Sequence, residues 1–283
     1  MKDISTMFSI GSIEIKWYSF FLLVAFSLGA LIIYLNRKKV NLSKIEIGDM
    51  LFNLVIIAIL GARIYYVIFN LDYYLVYPVD IFKVWEGGLA IHGGIISGLL
   101  YLLYFCKKKG ISIIKLTDII VLALPLGQAI GRWGNFFNQE AFGPVTTYAN
   151  LKSMHIPAFI INGMHIGNNY YHPTFLYESI WCLLIFVILL ILFLLKIEKK
   201  GLYTSIYLIM YGIERLLVES MRQDSLMIYN VKIAQVVSTL MILIGIIILI
   251  YNWRSKNERY RIWRRGGPRR SRVHDAQGHP PDP

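Results

Sequence analysis

The sequence predicts an all-α polytopic membrane protein of about seven transmembrane helices with a small extracytoplasmic loop domain. Three observations carry this. The chain is 283 residues long, 56% hydrophobic and 16% charged, with a mean hydropathy of +0.54, whereas soluble domains carry about 25% charged residues. Residues 17–36, 87–106, 179–195 and 233–251 contain no Asp, Glu, Lys or Arg; a hydrocarbon core of ~30 Å needs about 20 residues of helix. Basic residues, finally, are concentrated in alternate loops.

Taken in order, span one covers 17–36 and ends in Arg37-Lys38-Lys39, with Lys44 beyond. Span two, 49–70, carries Arg63 in Gly61-Ala62-Arg63. Span three, 88–106, opens on His92-Gly93-Gly94 and ends in Lys107-Lys108-Lys109. Span four, 116–134, holds Asp118 near its inner end, read as a solvated helix start, and Arg132 near its outer end. Span five, 174–195, is followed by Lys196, Lys199 and Lys200. Span six, 202–221, carries Glu214, Arg215 and Glu219. Span seven, 232–252, is followed by Arg254, Lys256 and Arg259. The intervening loops hold few basic residues, so the positive-inside rule places the N-terminus outside and the C-terminus in the cytoplasm. Residues 1–16 lack the basic n-region and short apolar h-region of a cleavable signal peptide. Cys106 and Cys182 both fall within spans and read as structural thiols rather than a disulfide framework.

Residues 1–253 form one membrane domain without an internal repeat. Its longest extramembrane segment, 138–173, lies on the outer side; loops of this length usually carry function or a small fold of their own. The outer loop 72–86 brings Tyr73, Tyr74, Tyr77 and Trp85, which suit the aromatic belt of the interface. Residues 254–283 differ in kind. They hold 8 Arg and 1 Lys, against 5 Arg and 15 Lys before them, and contribute half of the net charge of +12. This basic, Gly- and Pro-rich tail reads as disordered, with no catalytic role. Basicity of this strength raises nucleic acid as a partner, but a membrane surface accounts for it here.

The chemistry concentrates where arginine is used. Of the five arginines before residue 254, only Arg37 sits in an ordinary inner loop; Arg63, Arg132, Arg215 and Arg222 lie in or beside spans. Arginine stays charged when buried, and its planar fork binds phosphate bidentately. Tyr211, Arg215, Glu219 and Arg222 recur at helical spacing and share one face of span six. An interhelical ion-pair network that only holds the bundle would give the same pattern, but charged groups inside a membrane bundle more often line a pathway or site. His92, flanked by glycines that permit close approach, can accept a proton at physiological pH. The stretch Gly131-Arg132-Trp133-Gly134-Asn135-Phe136-Phe137-Asn138-Gln139-Glu140-Ala141-Phe142-Gly143 packs an arginine, two asparagines and a glutamate against the end of span four. The topology brings these groups to the outer half of the bilayer, with His172 and Glu178 at the outer opening of span five. No metal-ligand pattern, Walker loop or dinucleotide fingerprint is present in the sequence.

The spacing G-R-x-G-N-F-x-N-x-E-x-x-G resembles the signature of the prolipoprotein diacylglyceryl transferases. Further matches lie at Trp17-Tyr18, Gly61-Ala62-Arg63, Ile91-His92-Gly93-Gly94, His172-Pro173-Thr174 with Tyr177-Glu178, and Tyr211-Gly212-x-x-Arg215 with Glu219 and Arg222. The resemblance covers about residues 10–252. It implies an enzyme of the bacterial plasma membrane that moves a diacylglyceryl group from phosphatidylglycerol to the lipobox cysteine of a prolipoprotein, forming a thioether and releasing glycerol phosphate. The donor and the precursor's signal peptide would both arrive from the bilayer, and no metal or other cofactor is implied. Arg132 and Arg215 are expected to hold the leaving phosphate, and His92 to act as base, with Glu140 or Glu219 as the alternative. Asn135, Tyr18, Tyr211, Arg63, Arg222 and Gly143 are expected to bind or shape the phosphatidylglycerol site. A transporter of anionic lipid or small anions also fits intramembrane arginines; it would bring inverted repeats or broken helices.

Overall fold

In the computed structural model, residues 5–11, 13–197, 199–221, 227–228 and 231–266 are described. An antiparallel hairpin of β1 (Thr6–Ile10) and β2 (Ile13–Lys16) leads directly into α1 (Trp17–Leu35). The chain continues through α2 (Lys44–Ile68), the short α3 (Leu71–Val76), α4 (Ile91–Lys109) and α5 (Ile113–Asn138). A small folded unit follows, made of β3 (Val145–Thr146), α6 (Tyr148–Ser153), α7 (Ala158–Gly163), β4 (His165–Ile166) and β5 (Asn169–Tyr171). Its three strands form a sheet in the order β3-β5-β4. Then come α8 (Thr174–Leu194), α9 (Leu202–Met221), a pair of two-residue strands β6 (Met227–Ile228) and β7 (Val231–Lys232), and α10 (Ile233–Gly266).

A long helix stands at each expected span. Five of them are long and apolar enough to cross a membrane: α1, α2, α5, α8 and the Ile233–Tyr251 part of α10. The other two, α4 and α9, are 19 and 20 residues long; α4 ends in three lysines and α9 carries Glu214, Arg215 and Glu219. Large apolar side chains such as Leu23, Phe52, Leu100, Leu194 and Ile247 point outward. Apolar exposure on this scale belongs to a surface in contact with lipid, and the molecule is a multi-pass membrane protein.

Local chemistry sets several helix ends. The start of α2 is Lys44, five residues earlier than the expected span of 49–70, because Ser43 and Glu46 form a capping box: Glu46 N–H donates to Ser43 Oγ (3.2 Å) and Ser43 N–H donates to Glu46 Oε2 (2.9 Å). Glu46 also takes a salt bridge from Lys109 (2.6 Å), which ties the start of α2 to the end of α4. The tail departs from expectation, since α10 continues through the basic stretch to Gly266 instead of breaking at Arg254. The sequence supplies the reason: residues 254–265 contain neither Gly nor Pro, while Gly266-Gly267-Pro268 stops a helix. Residues 267–283 lie outside the described residues.

Packing sorts the helices into closely paired groups: α1 along α5, α2 along α4, α9 along α10, and α8 against α5. The α2–α4 crossing brings backbone against backbone. A Cβ on Gly61 would collide with Ser97 and with the Gly93 carbonyl, and one on Gly93 would collide with the Gly61 carbonyl and Tyr65. Small residues at such a crossing let membrane helices approach. Gly93→Leu is therefore expected to separate α2 from α4 and destabilise the protein by about 1–3 kcal/mol, read as a lowered Tm in detergent.

Three apolar clusters fill the interior. One joins Ile33, Ile47, Met50, Leu102, Phe105 and Leu116 at the end of the bundle where α2 begins and α4 ends; one joins α5, α8 and α9 through Leu122, Ile185, Leu189 and Tyr207. A third packs Phe136 and Phe175 under Leu151, Ile160, Ile161 and Met164, so the 138–173 unit has a small core of its own. Asp118 is not the solvated helix start that the sequence suggested. It is buried, and its carboxylate accepts the backbone N–H groups of Gly201 (2.5 Å) and Thr204 (2.9 Å) and the Thr204 hydroxyl (2.7 Å). It thereby caps the start of α9 from a helix more than 80 residues away in sequence, where the helix dipole favours an anion. Cys106 and Cys182 are buried free thiols.

Candidate active site

The charged groups of α5, α8 and α9 meet inside the bundle. Arg132, one turn and a half before the end of α5, forms an ion pair with Glu178 Oε2. Arg215 on α9 reaches the same oxygen at 3.4 Å through Nη1, while its Nη2 pairs with Glu219 Oε2 at 2.7 Å, one helical turn on. Glu178 is almost wholly buried, and its second oxygen has no hydrogen-bond partner among the described residues. One carboxylate oxygen thus bridges two arginines from two helices. An unneutralised cation at this depth costs several kcal/mol, so Glu178 and Glu219 are what permit two arginines to stand there.

Tyr211 and Glu214 complete the surroundings. Tyr211 lies one turn before Arg215 and stacks on Tyr207, with ring centroids 5.4 Å apart; Tyr207 in turn donates its hydroxyl to Gln128 on α5 at 3.2 Å. Glu214 is buried within electrostatic reach of Glu178, Arg132 and Arg215, and neither of its carboxylate oxygens has a hydrogen-bond partner among the described residues. Ser179 ties α8 to α5 by donating to the Ala129 carbonyl at 2.9 Å.

Above the arginines, the end of α5 is held by its own motif. Asn135 donates to Glu140 Oε1 at 2.8 Å and Asn138 reaches the same oxygen at 3.4 Å. Gln139 takes the left-handed conformation that ends the helix, and its side-chain amide donates to the Gly163 carbonyl. Tyr18, in the first turn of α1, packs its ring over Gly134, where a Cβ would collide with it. Trp17 stacks on Phe137 with centroids 4.9 Å apart.

Several expected residues stand elsewhere. Arg63 is not placed to hold a phosphate: its guanidinium is engaged by main-chain carbonyls of the 80–88 loop, Ile81 at 2.9 Å, Gly87 at 2.8 Å, Gly88 at 2.9 Å and Asp80 at 2.5 Å. The buried fork staples that loop to α2. Asp80 turns its side chain to Lys83 (2.6 Å) and Tyr73 (2.7 Å), which hold its carboxyl below the usual range. Arg63→Ala strands these carbonyls and is expected to cost about 3 kcal/mol. Faster protease cleavage within 71–88 at an unchanged KM for the lipid donor would be the reading.

Gly143 also serves a contact inside the protein. Its N–H donates to the His172 carbonyl at 2.9 Å, and a Cβ there would press on His172 and Thr174. Glu140 is exposed and taken up by the two asparagines, and Glu219 is locked to Arg215, so neither carboxylate is positioned as an unengaged base. His92 is exposed in the first turn of α4, its ring 6.2 Å from that of Tyr65, on the helix pair that does not carry the arginine cluster. Arg222 lies outside the described residues.

Glu178 is the central group that sequence reasoning placed at the opening of span five and among the matched motif positions, without giving it a role. Its signal was an acid one turn into an otherwise apolar helix, four residues after Thr174 of His172-Pro173-Thr174. Glu214 had no spacing to mark it, because it lies beside the Tyr211–Arg215–Glu219 stripe.

An apolar helical bundle with two partly buried arginines bridged by carboxylates defines an integral membrane protein with a charged interior site. The comparisons make that class specific. The family described as prolipoprotein diacylglyceryl transferase matches residues 5–251. Phosphatidylglycerol–prolipoprotein diacylglyceryl transferases from Staphylococcus haemolyticus (44% identity over 247 residues, 87% of each chain), Listeria innocua (44% over 251 residues, 89% of this chain and 90% of that one) and Bacillus velezensis (43% over 245 residues, 86% and 90%) are similar along nearly their whole length. The chain belongs to the prolipoprotein diacylglyceryl transferase family. It is a membrane transferase of lipoprotein biosynthesis.

Proposed function

We propose that the Arg132–Glu178–Arg215 cluster is the phosphate clamp of a diacylglyceryl transfer from phosphatidylglycerol to the lipobox cysteine of a prolipoprotein. The observation that carries this reading is the single Glu178 oxygen shared by two arginines, which marks a place shaped for an anion. In the reaction the cysteine sulfur attacks the glyceryl carbon that bears the phosphate. The S–C bond forms as the C–O bond breaks, and glycerol phosphate leaves with the extra negative charge. Fixed cations in a water-poor site stabilise that developing charge strongly. The thiol must first lose its proton, because the thiolate is the nucleophile. His92 takes it in this reading, since Glu219 is already held by Arg215. Asn135 and Tyr211 orient the headgroup, and Tyr18 shapes the entrance over Gly134.

The same proposal covers topology. All seven long helices cross the bilayer, α4 and α9 sheltered by α2 and α10. The N-terminus lies outside and the C-terminus in the cytoplasm. The Arg132 end of the bundle and the 138–173 unit face the outer leaflet, where phosphatidylglycerol and a membrane-held precursor arrive laterally. The basic segment 254–283 is cytoplasmic and has no part in the chemistry.

The test uses purified protein, phosphatidylglycerol and a lipobox peptide. Glycerol phosphate release matched by a diacylglyceryl mass shift, absent with a Cys→Ser peptide, is the expected result. A folded protein that binds the lipid and yields neither product would move the reading to lipid transport. His92→Gln is expected to lower transfer about 10²–10⁴-fold, the usual span for a general base. Unchanged transfer at pH 7 would remove His92 from that role.

A further inference from the structure

The end of the bundle opposite the arginine cluster holds a charged cavity. A cleft of about 200 Å³ is lined by Lys39, Lys115, Lys199, Asp118, Ile119 and Leu122, with Tyr203 beside them. The three lysines come from three places far apart in sequence: the turn after α1, the first turn of α5, and the loop between α8 and α9. Lys39 is positioned by the face of Phe193, its Nζ 3.8 Å from the ring centroid. Asp118, the one acid among the described residues of the lining, has both oxygens engaged by the start of α9. Among the described residues no carboxylate lies within salt-bridge distance of Lys115 or Lys199. The cleft is therefore cationic at its rim and apolar on its floor.

We infer that this cleft binds a phosphate-bearing anion, and that the anion is the headgroup of a lipid from the adjoining leaflet. Lysine ammonium groups bind phosphate as point charges, and basic pockets between membrane helices on the cytoplasmic side take lipid headgroups. The apolar floor of Ile119 and Leu122 separates the two sources of phosphate: it adds nothing to the binding of a soluble ion, and it accommodates the glyceryl and upper acyl part of a lipid. The site lies outside the transfer machinery, and its occupant stays put as a structural lipid at the junction of α1, α5, α8 and α9. Which leaflet supplies it rests on the orientation proposed above; binding in detergent does not.

The experiment is native mass spectrometry of the full chain in detergent, titrated with phosphatidic acid and, separately, with inorganic phosphate. The Lys39→Ala/Lys115→Ala/Lys199→Ala variant is expected to lose one retained phosphatidic acid, its affinity falling about 100-fold, the combined effect of three near-surface lysines. Arg132→Ala should keep that lysine-dependent lipid, and the triple variant should keep diacylglyceryl transfer, which shows that it is folded. Phosphatidic acid should bind this site at least ~10-fold more tightly than inorganic phosphate. Equal binding of the two overturns the lipid assignment in favour of a soluble phosphate. Undiminished lipid retention in the triple variant overturns the site. So does an equal loss in a Lys107→Ala/Lys108→Ala/Lys152→Ala control, which would reduce the effect to general surface charge.

Discussion

Arg132→Ala is expected to lower diacylglyceryl transfer by at least about 10²–10³-fold, the usual cost of removing one preorganised donor from a site where negative charge develops. Two consequences of the change must be kept apart. The substitution removes a cation from the clamp, and it also leaves Glu178 with Arg215 as its remaining ion-pair partner. Breaking one side of a buried ion pair destabilises by about 3–5 kcal/mol, most of it the penalty of the charge left behind. A double variant separates the effects. Arg132→Met with Glu178→Gln takes away both charges together, so the Tm should recover much of what Arg132→Ala loses. Transfer should not recover, because the clamp still lacks a cation. Recovery of activity along with stability would mean that the pair serves only to hold α5 against α8.

The spans were legible because crossing a bilayer imposes a composition on about 20 consecutive residues at a time. Charge-free runs and basic loops report that composition directly; helices appear at all seven expected places, and five of them are long and apolar enough to cross a membrane. The interior was legible only in part, for a physical reason. Arg63 and Arg132 look alike in sequence, each an arginine late in an apolar run with a glycine one or two residues before it. What distinguishes them is the partner each meets. Arg63 finds main-chain carbonyls of the 80–88 loop, and Arg132 finds a carboxylate 46 positions away on α8. The same holds for Asp118, whose partners at Gly201 and Thr204 turn an apparent solvated helix start into a buried cap. The helical stripe Tyr211–Arg215–Glu219 was readable because its contacts are local, one turn apart on one helix. Local periodicity survives in a sequence; the pairing of helices does not.

Glu178→Gln should produce the opposite dependence on lipid from every arginine variant. In the resting protein Glu178 supplies the negative charge that two partly buried arginines need, and the proposed substrate brings a phosphate to the same place. The two anions compete, so wild-type binding of phosphatidylglycerol includes the cost of moving a carboxylate off the clamp. The neutral amide removes the competitor and leaves both guanidinium groups undercompensated. Without an anionic lipid, the variant is expected to lose about 3–5 kcal/mol of stability. With phosphatidylglycerol present, the lipid's phosphate replaces the missing charge. Binding that favours the folded state stabilises it in proportion to the logarithm of ligand concentration over Kd. The tighter complex of the variant should therefore raise its Tm by more per decade of added lipid than the wild type at sub-saturating concentrations, and its KM for the donor should fall. Turnover should also fall, because glycerol phosphate leaves more slowly when no carboxylate returns to displace it. Phosphatidylcholine, whose headgroup has no net charge, should restore less. A Tm deficit in Glu178→Gln that phosphatidylglycerol and phosphatidylcholine repair equally would show that Glu178 holds the bundle together without holding the phosphate's place.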